Sequence, residues 1–191
     1  MNKDNAIATC SKTVMVALML AVCMASQVVM AEELTPAMTA KVDKYKKTLA
    51  GWAASPVIVA AAKASNDKGG IAGMSNAKWD ELSDNDPVVT DIKQNAASKQ
   101  INQWESSTKD LDKLNLRDEK GNLAGFSPSS GKPLLYNNAN RPPFQNGLKG
   151  VWAAKEIKPD PTTQKKTVQI SAPVLEGGKA IGVLHSAVVA D

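Results

Sequence analysis

The sequence predicts an α+β domain in which long N-terminal helices pack on a five-stranded antiparallel sheet. Three observations predict it. Apolar residues recur at helical spacing as far as about Thr108. From Leu111 onward the period changes to two, the repeat of a strand. The segments with that period are joined mostly by short turns rich in glycine, proline and aspartate, which pair neighbouring strands antiparallel.

The first 31 residues stand apart. Lys3 and Lys12 give a positive start, residues 14–25 (VMVALMLAVCMA) an apolar core, and Val29 and Ala31 small residues just before Glu32. That is the pattern of a secretory signal peptide cleaved near Ala31. Two other readings stand beside it: a retained anchor, since residues 13–31 are largely apolar, and a lipid-modified Cys23. The remaining 32–191 suit a single domain, with a helical part at 32–110 and a sheet part at 111–191. Its expected location is the periplasm or the cell exterior.

Composition removes several kinds of chemistry. Both cysteines, Cys10 and Cys23, lie in the leader, and His185 is the one histidine. The exported part therefore has no disulfide, thiolate nucleophile, cysteine-held metal or haem attachment, and no histidine-rich metal site. Local spacing builds neither a Ser–His–Asp set nor a carboxylate pair, so no enzyme, metal or cofactor is expected. The net charge of +4 falls to about +3 once Lys3, Asp4 and Lys12 leave with the leader. The basic residues are nearly all lysines scattered among acids, so the basic stripe that nucleic acid would need is missing.

Thr35-Pro36 is a helix start, with threonine as cap and proline at the first helical position. Met38, Val42, Tyr45, Leu49 and Trp52 then form a heptad-like apolar stripe, and lysines occupy the other side. The stripe fits either a helix laid on a core or a short coiled-coil seam. Ser55-Pro56 repeats the start signal, and Val57–Ala62 (VIVAAA), apolar all round, is expected to be buried. The stretch 66–73 breaks that helix. Ser75 opens a short helix carrying Trp79 and Leu82. Asp86-Pro87 opens another, with Val88, Ile92, Ala96, Ile101 and Trp104 at roughly helical spacing.

In the sheet part, Leu114 and Leu116 alternate with Asn115 and Arg117. Asp118–Gly121 is a hairpin turn, and Leu123–Phe126 the returning strand. Residues 127–147 hold four prolines and no periodicity, and a loop of that length inside a compact domain is often functional. Three strands follow near 148–157, 166–175 and 180–189, joined by Lys158–Thr163 and by the Gly177-Gly178 turn.

Several of these pieces, in this order, resemble the Cache family of PAS-like extracytoplasmic sensor domains. They are LAGWAASPVIVAAAKASND (49–67), KWDEL (78–82), LNLRDEKGNLAGFS (114–127) and VQISAPVLEGGKAIGVLHSAV (168–188). The resemblance implies a long N-terminal helix on one face of a PAS-like sheet and a ligand pocket on the other. It also implies a roof made by the loop between the second and third strands. The implied ligands are small carboxylates, amino acids or related metabolites. Family members usually sit between membrane spans and feed a kinase, cyclase or chemoreceptor, whereas this sequence ends just after the last strand. A separate membrane-bound signalling protein is therefore the expected partner.

Candidate ligand-binding residues follow from side-chain chemistry. Arg141 offers a planar fork for a carboxylate and stands beside two prolines that stiffen the loop. Tyr136 and Phe144 line the pocket or pack the loop on the sheet. Trp152 is a pocket floor or a core seat. Gln169 and Ser171 alternate with Val168, Ile170 and Ala172, so they face a ligand or solvent if the valine–isoleucine face takes the helix; Ser127 at the hairpin exit joins them. Asp118 reads as a turn residue and His185 as a packed strand histidine. The leading expectation is a secreted or periplasmic sensor for a small organic anion or amino acid. The alternative is a structural or interaction protein, a homodimer through its first helix, with no ligand.

Overall fold

The structure, a computed structural model, describes residues 32–128 and 131–190. The leader and its three readings lie outside the described residues. The elements are β1 (Glu32–Glu33), α1 (Pro36–Ala53), α2 (Pro56–Lys68), α3 (Asn76–Glu81), α4 (Pro87–Gln94), α5 (Ala96–Ser106), β2 (Leu111–Asp118), β3 (Leu123–Phe126), α6 (Pro142–Lys149), β4 (Trp152–Ala153), β5 (Glu156–Pro159), β6 (Lys166–Glu176) and β7 (Lys179–Val189). Every strand pair is antiparallel, in the order β1-β5-β6-β7-β2-β3, with β4 also on β6.

Local chemistry sets the helix starts. Thr35 accepts from the Met38 N–H at 3.1 Å, Ser75 from Lys78 and Asp86 from Val88, so three of the four helices with a foreseen start carry a side-chain cap. Ser55 opens α2 without one, leaving Pro56 to fix the first turn. Gly69, at φ 70°, ends α2 in the left-handed conformation that glycine takes without strain.

One face of the sheet carries the main core. Leu114, Leu116, Val168, Ile170, Ala172, Val174, Leu184 and Val188 meet Met38, Val42, Tyr45, Leu49 and Ala53 of α1, Ile58 and Ala62 of α2, and Ala97 and Ile101 of α5. Each fully buried large aliphatic here contributes about 1.5–3 kcal/mol. The α1 stripe is thus used inside the chain, against the sheet. Trp52 of α1 and Trp104 of α5 stack face to face at 4.9 Å beside this core. A second cluster (Trp79, Val89, Ile92, Leu123, Phe126 and Tyr136) packs α3 and α4 against β3.

Five expectations need correction. The VIVAAA run is not buried all round: Ile58 and Ala62 face the core, while Ala60 is exposed, because α2 lies on the surface of the sheet and buries one side only. The helix expected from Pro87 to about Thr108 is two helices. Asn95 ends α4 and caps α5, accepting from the Ser98 N–H while donating to the Ala124 carbonyl. That break shifts the buried face to Val89, Ile92, Ala97 and Ile101 and leaves Ala96 exposed. The loop 127–147 runs into a helix, α6, that was expected to be irregular. The strand at 148–157 is really β4 and β5: four residues separate Ala153 from Lys158 where their β6 partners, Ile170 and Thr167, are separated by two. The surplus bulges out and breaks the strand. With β1 on the edge, the sheet has seven strands where five were expected.

Candidate functional site

The face of the sheet away from α1 is built from alternate residues. One register row crosses it from Asn115 on β2 to His185 on β7, Ser171 on β6 and Trp152 on β4. Arg117, two residues beyond Asn115, lies on the same face, and Gln169 lies two residues before Ser171. α6 closes one end of this face. Gly147 lets it approach: a Cβ there would stand 2.6 Å from a Val183 methyl and 2.8 Å from the Ser171 Cβ. Phe144 of the same helix packs near the His185 ring, at 6.2 Å between centroids. Between the sheet, residues 131–143 and the arm 154–162 lies an open cleft of about 780 Å³, a volume suited to a metabolite.

The roof is tied down at many points, which explains how so long a loop is ordered. Trp79 Nε1 donates to the Pro133 carbonyl at 2.6 Å, and Lys132 Nζ donates to the carbonyls of Trp79 and Leu82 at the end of α3. Asn76 and Asn137 exchange two bonds, side chain to backbone. The Tyr136 hydroxyl accepts from the Ile71 N–H at 2.6 Å. From below, the Arg117 guanidinium donates to the carbonyls of Tyr136 and Leu135. Asp118 organises the adjoining turn, accepting from the Lys120 and Asn122 N–H groups and from Ser65 and Asn122 side chains. Gly121 in that turn has φ 83°.

The charge of the cleft is unbalanced. Lys113, Arg117, Lys132, Arg141, Lys155 and Lys158 line it against only Glu156 and Asp160. Both acids are engaged. Glu156 pairs with Lys158, and Asp160 accepts from Lys113, the Thr162 hydroxyl and the Thr162 and Thr163 N–H groups. Burial opposes the ionised Asp160, but those donors win and hold its carboxyl well below the usual range. Burial pushes the Arg117 guanidinium down to about 9. Burial, with Arg117 nearby, pushes His185 down to about 3, so its ring is neutral at physiological pH. Lys113 sits in a bulge of β2 at φ 58°, a strained conformation for a non-glycine residue, and its ammonium bridges the cleft floor to the arm. Among the described residues no cluster of three or more metal-ligating side chains occurs.

No family model and no curated protein matches the chain. Solved structures do. The sensor domain of the V. cholerae histidine kinase DctB superposes with a TM-score of 0.55 at 16% identity, over 80% of this chain and 50% of that one. The chain has the fold of a Cache-type sensor domain. Looser likenesses are the Campylobacter jejuni chemoreceptor Tlp3 ligand-binding domain with 4-methylisoleucine (TM-score 0.42, 15% identity, 77% and 59% covered) and the Pseudomonas aeruginosa amino acid chemoreceptor PctC with GABA (0.40, 16%, 78% and 61%). The chain thus spans between half and under two thirds of the length of these chains.

Within the Cache-type fold the residues singled out from sequence fall into two groups. Arg141, Trp152 and Gln169 line the cleft. Arg141 is exposed at its mouth, where its backbone starts α6 and its side chain caps nothing. Trp152 is half-buried, and Gln169 is exposed on the floor. Tyr136, Phe144, Ser171 and Ser127 are buried behind the lining. Tyr136 packs on Trp79, Ser171 bonds His185 Nδ1 at 2.8 Å, and Ser127 turns toward Asn102 on the helix side. The expected opposition of Gln169 and Ser171 to the Val168–Ile170 core face is what the sheet shows. Sequence reasoning passed over Arg117, Asn115 and Lys113 on β2. The alternation with Leu114 and Leu116 carried the signal for the first two.

Proposed function

We propose that this protein is a periplasmic or extracellular small-molecule sensor domain that binds a small organic anion or amino acid in the cleft. In this reading it reports occupancy to a membrane-bound signalling protein. The observation that carries it is the cleft, metabolite-sized and with six cationic residues against two already engaged acids. The likeness in fold to a histidine kinase sensor domain supports sensing over catalysis. Trp152 and Gln169 then touch the ligand, Arg141 draws it in from the mouth, Tyr136, Phe144 and Ser171 hold the roof and floor that shape the site, and Ser127 supports the sheet from the helix side. The leader is cleaved near Ala31 in this reading.

A structural protein dimerising through α1 finds less support, because Met38, Val42, Tyr45 and Leu49 are already buried on the sheet. The testing experiment is a thermal-shift screen against carboxylates, amino acids and amines, since a ligand at 100 times its Kd raises stability by about 2.7 kcal/mol. A screen in which no compound shifts the transition contradicts the sensor reading.

A further inference from the structure

We propose that an apolar dent at the open edge of β6 is a docking site for an acidic segment of the signalling partner, which seats one large apolar side chain between Lys47 and Lys149. This names where the partner of the sensor reading binds, and it rests on that reading only for the protein that carries the segment.

The dent has a cause in the sheet. β5 and β4 cover one edge of β6 as far as Ser171, and from Ala172 to Glu176 β7 is the one strand beside it among the described residues. Pro173, which has no N–H to offer a further strand, stands in that uncovered stretch. The end of α1 contributes Ala50 and Ala54, too short to fill the gap, and Val151 and Leu175 wall it, leaving about 180 Å³. That is below the roughly 300 Å³ at which metabolite pockets begin, and it is room for one leucine- or phenylalanine-sized side chain. Val151 and Leu175 are 43% and 47% exposed, two of the three exposed large apolar residues among those described. The third, Leu134, lines the ligand cleft. A large side chain anchored in a well-packed pocket is where protein interfaces concentrate their binding energy.

The surrounding charges decide what flanks the anchor. Lys47 stands one turn before Ala50 and two before Ala54 on the same side of α1, and Lys149 ends α6 two residues before Val151. Both lysines are exposed, and neither has an acidic partner among the described residues. The nearby acids are taken: Asp43 by Lys46, Glu176 by Lys63 and Glu119 by Lys179, while Asp67 also acts on Lys63. A segment with aspartate or glutamate on either side of its apolar anchor therefore meets two free ammonium groups. A second copy of this chain would bring lysine against lysine. The leader carries Lys3 and Lys12, and it joins the domain at the other end of β6, through β1 and β5 at Lys166 and Thr167. A lipid surface takes up apolar side chains that protrude, whereas these enclose a recess.

The test titrates the purified protein, by fluorescence anisotropy, against labelled short peptides that carry one central leucine or phenylalanine between aspartates and glutamates. Controls place alanine at the centre or lysines at the flanks. The expected result is saturable binding of at least one acidic peptide, at least tenfold tighter than its alanine-centred form, and no binding of the lysine-flanked forms. Leu175→Glu, a change on an exposed side chain that leaves the fold intact, should weaken that binding at least tenfold. Lys47→Glu combined with Lys149→Glu should do the same and gain binding of the lysine-flanked peptide. No binding by any acidic peptide, or binding unchanged in Leu175→Glu, overturns the inference. So does binding to phosphatidylglycerol vesicles, or self-association, that Leu175→Glu abolishes while no peptide binds; the dent is then a membrane or self-contact. A metabolite that shifts the thermal transition while no peptide binds removes this site and leaves the sensor reading standing. Peptide binding while no metabolite shifts the transition keeps the site and removes the sensor reading.

Discussion

Arg117 holds Tyr136 by its backbone: the guanidinium on β2 donates to the carbonyl of a roof residue 19 positions along the chain, and the neighbouring Leu135 carbonyl takes a second bond. The chain's other arginine, Arg141, is exposed at the cleft mouth. The two should therefore behave oppositely in stability. Arg117→Ala strands two carbonyls and opens a cavity, so it should cost about 2–4 kcal/mol in urea unfolding without ligand. Arg141→Ala should leave the unfolding midpoint nearly unchanged. Equal effects of the two substitutions would contradict the clamp.

Stability should depend on pH through His185. Its folded pKa, about 3, lies below the usual 6.5, so between those values the unfolded chain binds a proton that the folded chain does not. Stability is therefore fully present above about pH 7 and falls as the pH drops, by about 2 kcal/mol between pH 7.5 and pH 5. His185 is the sole histidine, and the depressed carboxyls of Asp110 and Asp160 act at lower pH. In His185→Gln the slope between pH 5 and 6.5 should vanish, as urea midpoints at several pH values will show.

Much of this was legible in the sequence because the signals are local. Thr35 and Asp86 announce their helices by a cap one residue before proline, and Val168–Ala172 announces its two faces by strict alternation. The same alternation placed Asn115 and Arg117 opposite Leu114 and Leu116. What spacing could not supply is burial: each arginine has a polar neighbour, Asp118 or Asn140, and only the fold decides that one goes under the roof and the other to its rim. α6 was hidden because its start lacks a capping side chain and its buried face is only Phe144 and Gly147, of which glycine carries no apolar signal. The break at Asn95 was hidden because Val88, Ile92 and Ala96 keep a four-residue spacing across it, although the nine residues from Ile92 to Ile101 make two and a half turns. The bulge between β4 and β5 depends on a comparison of two strands, which neither strand's sequence contains.

Gly147→Ala tests how α6 closes the site. The added methyl must displace Val183 or Ser171, each within 2.8 Å of it, so overpacking should cost about 1–3 kcal/mol despite alanine's better helix propensity. Thermal unfolding measures this. A stabilised Gly147→Ala protein would mean that α6 does not sit on Val183.

Arg141 should act on association more than on affinity. A charge at the rim steers an anion and is screened by salt. Arg141→Ala should slow binding of a carboxylate in stopped-flow measurements at low salt and weaken it less than tenfold. The difference from wild type should shrink at 0.5 M salt. A salt-independent loss larger than tenfold would place this arginine in direct, dry contact with the ligand.

The central claim is that the face formed by β2, β6 and β7 under the 131–143 roof binds a small molecule. Amide and side-chain chemical-shift mapping of the ¹⁵N-labelled protein with the strongest thermal-shift hit tests it most directly. The account predicts saturable shifts clustered at Asn115, Arg117, Leu135, Arg141, Trp152, Gln169 and His185, with α1 and α5 unmoved. Saturable shifts confined to the helical face, or shifts that never saturate, would contradict it.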